Sequence, residues 1–273
     1  MKLQVACVQM EPELCRMDAN LDKMVAHMEA VMRENPQTKL IVFPELITSG
    51  YECGEAFRNL AETLPDGTSM KRIGACARRF GVNVIYGFPE RDALLTDVLF
   101  NSVAFIDSRG EVAGRYRKVH LFDTEKQFFR PGCEYPLLET EIGKIGMMIC
   151  WDTAFPEVAR SYALQGAQLL TVSTNWEKPY TADWDLVTRA RAFDNISYLV
   201  AANRIGFDRT LGFFGRSKII GPLGEPIAEL NEEREGYIAA ELDYEKPLRL
   251  KEEYYTIFKD RRPDTYGEIT NAF

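Results

Sequence analysis

Three segments of the sequence each place a reactive side chain at the end of a short apolar run. Glu45 closely follows Leu40–Phe43, Cys150 directly follows Ile145–Ile149, and Lys118 lies between them in a basic and aromatic stretch. Runs of this length are typical of buried strands, and sites in α/β sheets form at the carboxyl ends of strands. A carboxylate, an ammonium group and a thiol at such ends could supply a base, a cation and a nucleophile.

Each group has a physical reason to be reactive. Partial burial after a strand would raise the pKa of Glu45 and make it a better proton acceptor near neutral pH. Lys118 in a pocket could neutralise a developing negative charge. A helix predicted to begin near Thr153 would place its positive end at Cys150 and lower the thiol pKa. The backbone N–H of Trp151 could then point at a carbonyl group under attack.

Each segment also has a simpler interpretation when it is taken alone. Glu45 could be a strand-capping carboxylate paired with an arginine. Lys118 could belong to a basic strand end that faces water, and Cys150 could be a buried, inert cysteine. The order of all three along the chain is therefore more informative than any one of them.

The composition limits the alternatives. The 273 residues carry 33 Lys+Arg and 41 Asp+Glu, so the formal net charge of −8 argues against non-specific nucleic-acid binding and against an anionic membrane surface. Only two histidines are present, which disfavours a Ser-His-Asp mechanism and a His-ligated zinc site. No signal peptide is predicted at Met1–Met10 and no apolar run approaches 18 residues, so we expect a cytoplasmic protein without a membrane span.

Short strands and amphipathic helices alternate along the chain, which predicts an α/β fold with a mixed sheet covered by helices. The predicted strands are Leu3–Val8, Leu40–Phe43, Val82–Gly87, Ser102–Ile106, Ile145–Ile149, Leu169–Val172, Tyr198–Ala202, Ser217–Ile220 and Gly236–Ala240. The predicted helices are Asn20–Arg33, Thr68–Phe80 with Gly81 as its stop, Phe155–Gln165 and Asp185–Asn195.

The combined pattern resembles the nitrilase superfamily, the carbon–nitrogen hydrolases, and within it the amidases and carbamoyl amidases more than the true nitrilases. The matching segments are Phe43-Pro44-Glu45-Leu46, Tyr116–Leu121, Cys150-Trp151-Asp152 and Phe155-Pro156-Glu157. They occur in the family's order. Weaker matches extend across nearly the whole chain.

The resemblance implies a four-layer α-β-β-α sandwich formed by a single domain, residues 1–273, and a homodimer or larger homo-oligomer. A charged, aromatic C-terminal arm from about residue 245 could pack at a subunit interface or on its own domain. By the family's pattern, Cys150 is the nucleophile and Glu45 the base, while Lys118 and the Trp151 N–H stabilise the oxyanion. Glu125, seven residues after Lys118, matches a second glutamate near the leaving group.

The resemblance also limits the class of substrate. It implies hydrolysis of a small amide through a thioester, with N-carbamoyl amine hydrolysis and nitrile hydrolysis as alternatives and an inactive binding or regulatory relative as the non-enzyme alternative. Candidate pocket residues are Tyr51, Asn175, Trp176 and Glu177, of which Glu177 could favour a cationic substrate. The simpler interpretations are a core tryptophan and a solvated loop glutamate. No metal or organic cofactor is implied.

Overall fold

The computed structural model describes residues 1–271, and these contain fourteen strands and seven α-helices. The strands are β1 (Lys2–Gln9), β2 (Leu40–Val42), β3 (Asn83–Arg91), β4 (Leu99–Ile106), β5 (Val112–Arg117), β6 (Leu138–Thr140), β7 (Gly143–Ile149), β8 (Leu169–Thr174), β9 (Tyr198–Asn203), β10 (Ile205–Phe207), β11 (Gly212–Phe214), β12 (Lys218–Ile220), β13 (Pro226–Glu229) and β14 (Gly236–Asp243). The α-helices are α1 (Met17–Glu34), α2 (Phe57–Leu60), α3 (Thr68–Phe80), α4 (Glu125–Phe128), α5 (Pro156–Leu164), α6 (Thr181–Asn195) and α7 (Glu245–Glu253). Short 3-10 helices cover Gly54–Ala56, Cys150–Ala154, Thr256–Phe258, Pro263–Thr265 and Gly267–Thr270.

All nine predicted strands and all four predicted helices are present, with ends that differ by a few residues. Helix α3 has the predicted bounds and ends at Gly81, whose φ of 63° lies in the left-handed region that glycine adopts without a Cβ penalty. Five strands (β5, β6, β10, β11 and β13) and three helices (α2, α4 and α7) were not predicted. Apart from β5 and α7, these elements are only three or four residues long, too short to show a hydrophobic period.

The first sheet has the strand order β14-β1-β2-β3-β4-β5, with β1, β2 and β3 parallel. Alternate residues of its strands point to opposite faces. Val5 and Cys7 of β1 belong to the core between the sheets, whereas Ala6 and Val8 pack with α1 and α3 on the outer face.

The second sheet has the order β13-β12-β9-β8-β7-β6, with β7, β8 and β9 parallel. Both faces of its central strands are buried, one against the first sheet and the other against α5 and α6. Parallel strands buried on both faces are expected to be almost continuously apolar, as β7 is. The layers therefore follow the order α-β-β-α, and the predicted four-layer sandwich is confirmed.

The C-terminal segment, from α7 onward, packs on its own chain beside α5 and α6. Tyr255 contacts Phe193 of α6 edge to face at 6.0 Å, and Phe258 lies under the Arg160 guanidinium of α5 at 4.9 Å. Tyr254 remains 77% exposed. Among residues 1–271, no helix is both long enough and apolar enough to cross a bilayer.

Candidate active site

The two sheets meet at one edge of the sandwich, where several parallel strands have their carboxyl ends. Glu45 and Lys118 follow β2 and β5 of the first sheet, and Cys150 and Asn175 follow β7 and β8 of the second. The edge thus collects four of the residues that the sequence singled out. This is the position at which open α/β sheets form sites.

Glu45 is fully buried, and both of its carboxylate oxygens are hydrogen-bonded. Oε1 accepts from Asn101 Nδ2 at 2.7 Å and from Lys118 Nζ at 2.8 Å, and Oε2 accepts from the Asn175 backbone N–H at 2.9 Å. Gly87 on β3 passes so close that a Cβ there would lie 2.6 Å from Glu45 Cα. The glycine therefore allows the neighbouring strand to hold the Glu45 backbone.

The electrostatic surroundings of Glu45 fit a proton acceptor. Burial raises the pKa of Glu45 to about 7; Lys118 opposes this shift and the Glu125 carboxylate adds to it. The pKa of Glu45 is thus shifted upward, as predicted from the sequence. The partner that accompanies the carboxylate is a lysine, not the arginine of the simpler interpretation.

Lys118 lies between two buried carboxylates. Its ammonium donates to Glu45 Oε1 at 2.8 Å and to Glu125 Oε1 at 2.6 Å. Burial alone would lower the pKa of Lys118, but the two carboxylates outweigh burial and hold it above its usual value. An ammonium has three N–H donors, so one remains without a partner in the described part of the chain.

Glu125 is held by a second set of contacts. Oε1 also accepts from the Tyr51 hydroxyl at 2.8 Å, and Oε2 accepts from the Phe122 N–H at 3.1 Å. The loop that carries Tyr51 is fixed in turn by Asp208, which accepts from the Tyr51 N–H at 2.8 Å and pairs with Arg204. Tyr51 is therefore tied to Lys118 through Glu125.

Cys150 lies at the sharp turn between β7 and the following 3-10 helix. Its φ of 43° is uncommon for a residue with a Cβ, and such strain is concentrated at functional sites. The predicted effect of a helix end on the thiol is wrong, because α5 begins only at Pro156. Burial raises the pKa of Cys150, and the Glu45 carboxylate adds to the shift, so the thiol depends on a base for its ionisation.

Asp152 joins the cysteine turn to the loop after Lys118. This fully buried carboxylate accepts from the Ile149 N–H at 3.0 Å and from the Tyr116 hydroxyl at 2.8 Å. It also accepts from the His120 N–H at 3.0 Å and lies 2.9 Å from His120 Nδ1. Its contacts therefore fix the position of the thiol strand relative to the lysine strand.

A pocket of about 280 Å³ opens onto Cys150. It is lined by all four predicted pocket residues, together with several aromatic and acidic neighbours: Tyr51, Phe122, Cys150, Trp151, Asn175, Trp176, Glu177, Tyr180 and Asp183. Trp176 is buried and its ring lies 6.0 Å from that of Trp151, so it belongs to the core and to the pocket wall at once. The size suits a small ligand.

Sequence reasoning missed the site roles of Asn101 and Asp152. Asn101 is a polar residue inside the apolar strand β4, and it bonds Glu45 while its carbonyl accepts from the Lys118 N–H at 2.8 Å. Buried polar groups need hydrogen-bond partners. An asparagine inside an apolar strand is therefore the sequence signal that could have indicated a role for Asn101 in the site. In the sequence, Asp152 stands out only as part of the Cys150-Trp151-Asp152 motif.

Among residues 1–271, no group of three or more His, Cys, Asp or Glu side chains is arranged to hold a metal ion. The available electrophilic groups are the Lys118 ammonium and backbone N–H donors.

Comparisons with known proteins indicate one protein family along nearly the whole chain. The family model described as carbon-nitrogen hydrolase matches residues 4–247. A protein of Schizosaccharomyces pombe, described as a probable nitrilase, is 54% identical over 269 residues, which are 98% of this chain and 99% of that protein.

Two crystal structures have folds similar to the fold of this chain. The carbon-nitrogen hydrolase of Helicobacter pylori G27 has a TM-score of 0.92 at 27% identity, covering 99% of both chains. Nit3 of Saccharomyces cerevisiae, described as a member of branch 10 of the nitrilase superfamily, has a TM-score of 0.87 at 31% identity, covering 93% of this chain and 94% of that one.

Proposed function

The chain is a carbon–nitrogen hydrolase of the nitrilase superfamily, and from that premise we propose that it hydrolyses a small amide through a thioester on Cys150. The observation that carries the proposal is the buried Lys118 ammonium, held between Glu45 and Glu125 at the strand ends beside a strained cysteine. Such an arrangement provides a base, a cation and a nucleophile without a metal.

The first half-reaction forms the thioester. Glu45 takes the thiol proton, and the Cys150 sulfur attacks the amide carbon, so that a C–S bond forms and the carbonyl π electrons move to oxygen. The oxyanion collapses, the C–N bond breaks, and the proton held by a glutamate passes to the leaving nitrogen. Ammonia or an amine departs.

Two donors stabilise the oxyanion in this scheme. One is the Lys118 N–H that its carboxylate partners leave free, and the other is the backbone N–H of Trp151, which directly follows the nucleophile. Donors fixed in a dry pocket act more strongly than donors in water. The two carboxylates prevent the ammonium from losing its proton.

The second half-reaction hydrolyses the thioester. Glu45 or Glu125 accepts a proton from water, the hydroxyl adds to the thioester carbon, and the C–S bond breaks. The carboxylic acid is released and the thiol regains its proton. Glu125 accepts a hydrogen bond from the same Lys118 ammonium as Glu45, and this second buried carboxylate close to the base supports its role near the leaving group.

Ammonia release from a substrate panel tests the proposal. The panel contains small aliphatic amides, ω-amides of dicarboxylic acids, N-carbamoyl amines and nitriles, matched in chain length. We expect turnover of at least one amide, with carboxylate as the second product. Turnover confined to N-carbamoyl amines or nitriles would replace the amidase by one of those activities, and no turnover of any class by the folded protein would favour a binding role.

The pH dependence of kcat/KM tests the base. Glu45 accepts a proton only when it is ionised, and its pKa is raised to about 7 by burial. We expect kcat/KM to fall about tenfold per pH unit below that value and to level off above it. In Asn101→Leu, which removes a hydrogen bond to the carboxylate, this limb should move to higher pH. A profile that stays flat from about pH 5.5 to 8, with the fold intact by circular dichroism, would exclude Glu45 as the base.

The proposal includes a homodimer formed through the face of α5, α6 and the C-terminal arm. Several large apolar side chains are exposed there, among them Leu186 at 70% and Tyr254 at 77%. Exposed apolar patches with aromatic residues are typical of interfaces. Light scattering should give twice the 31.2 kDa chain mass, and Leu186→Glu should lower it toward one chain. A wild-type monomer at micromolar concentration would contradict the proposal.

A further inference from the structure

The outer part of the catalytic pocket carries negative charge that is not balanced by its lining. Glu177 and Asp183 line the pocket, and within the described residues no lysine, arginine or histidine does so. The neighbouring Lys178 pairs with Glu233 at 2.7 Å instead of with Glu177. Partial burial raises the pKa of Glu177, and the carboxylates of Asp123 and Glu52 raise it further. A positive charge brought into this region would relieve the repulsion.

The basic groups near the pocket do not offset this charge. The fully buried Lys118 ammonium does not line the pocket and is already matched by Glu45 and Glu125. Arg209 lines an adjoining pocket, which it shares with Glu52 and Glu125. An anionic ligand in the catalytic pocket would therefore face carboxylates at both ends.

The floor of the pocket offers an independent sign of a ligand. Asn175 is only 4% exposed and lines the pocket, yet neither its Nδ2 nor its Oδ1 has a hydrogen-bond partner in the described structure. Its backbone N–H is held by Glu45, so the residue cannot easily turn away. A buried amide without partners is costly, and a carbonyl next to an N–H group supplies both the acceptor and the donor that it lacks.

The lining residues are buried at one end of the pocket and exposed at the other, so the pocket has a floor and a mouth. Cys150 and Asn175 are buried at the floor, and Tyr180 and Asp183 are exposed at the mouth. The rings of Trp151 and Trp176 lie between, where they can pack on methylene groups and attract a cation. The scissile group and the acidic residues therefore contact opposite ends of a bound molecule.

We propose that the substrate carries an ammonium group at the end opposite its scissile amide or carbamoyl carbonyl. In this arrangement, which rests on the proposed function, Asn175 and the catalytic residues hold the carbonyl end. The aliphatic chain lies along the tryptophan rings, and Glu177 and Asp183 bind the ammonium. The class comprises short ω-amino amides and ω-amino ureas.

The test uses compounds of one length that differ in terminal charge. They are 5-aminopentanamide (cationic), pentanamide (neutral) and glutaramate (anionic), with 3-aminopropylurea and propylurea to separate carbamoyl from amide substrates. We expect kcat/KM to be roughly tenfold higher for each cationic compound than for its neutral partner, and lowest for glutaramate. Each of Glu177→Gln and Asp183→Asn should reduce the cationic-to-neutral ratio roughly threefold to fivefold.

A matched control and a binding measurement complete the test. Glu141→Gln removes one exposed carboxylate in the turn before β7, at the end of that strand opposite Cys150, and should leave the ratio unchanged. Calorimetry with Cys150→Ala should show tighter binding of 5-aminopentanamide than of pentanamide, which ranks the ligands even if no compound is turned over. The absence of turnover would reject the hydrolase proposal alone, whereas equal or better binding of the neutral or anionic compound would overturn the cationic class.

Discussion

Replacing Cys150 with alanine will lower the rate of substrate hydrolysis by at least about four orders of magnitude, the scale of losing a covalent nucleophile. No other cysteine can substitute, because none of the other five lines the pocket. Alanine has nearly the volume of cysteine and can adopt the backbone conformation at φ 43° at a similar cost. We therefore expect the fold and the pocket to persist in the variant.

The matched control is Cys133→Ala, which removes an exposed thiol and should keep the wild-type rate. Mass spectrometry of rapidly quenched wild-type enzyme should find the acyl group of the substrate on the peptide that contains Cys150. An alanine variant that retains most of the activity, with a native melting temperature, would exclude the thioester mechanism.

Replacing Lys118 with methionine should affect catalysis and stability together. Loss of an oxyanion donor lowers kcat by roughly two to three orders of magnitude. The change also leaves Glu45 and Glu125 buried without their shared cation, which costs about 3–5 kcal/mol of unfolding free energy until a carboxyl group takes up a proton. Kinetics and chemical denaturation would measure the two effects.

A second substitution separates these effects. Lys118→Met combined with Glu125→Gln removes one of the unpaired charges, so stability should recover while kcat does not. Lys126→Met, on the exposed side of the same short helix as Glu125, should change neither quantity. If the Lys118 variant altered only KM, the ammonium would be a substrate-binding group and not an oxyanion donor.

Most strands and helices of the fold could be predicted from sequence because their signals are local. Apolar runs such as Ile145–Ile149 and the amphipathic period of Thr68–Phe80 report burial along a few residues, and both elements are present. The four-layer arrangement came from the resemblance to a family, since strand order across a sheet leaves no local trace. The motifs also predicted that Glu45, Lys118 and Cys150 share one site, and in the structure these three residues lie near one another.

The remaining parts of the site depend on contacts between distant segments. Asn101 is 56 residues from the carboxylate that it bonds, and no local pattern links them. The lowered thiol pKa expected from a helix end near Thr153 is wrong for a related reason: Pro156 sets the start of α5 and leaves a tight turn before it, while burial under neighbouring strands raises the pKa of Cys150. The unpartnered Asn175 amide could be recognised only once the pocket existed.

The contacts around Asp152 place the proposed catalytic groups at the interface between the two sheets. The proposed base and cation come from one sheet and the thiol from the other. Buried hydrogen bonds that join the two sheets near the site include Asp152 to Tyr116, Ser173 to the Phe43 carbonyl at 2.7 Å, and Asn175 to Glu45. Neither sheet alone therefore carries the whole set of proposed catalytic groups. During synthesis the first sheet lacks β14, which pairs with β1, until residues 236–243 have been made, so the sheet that carries Glu45 and Lys118 is completed only after the segment that carries Cys150.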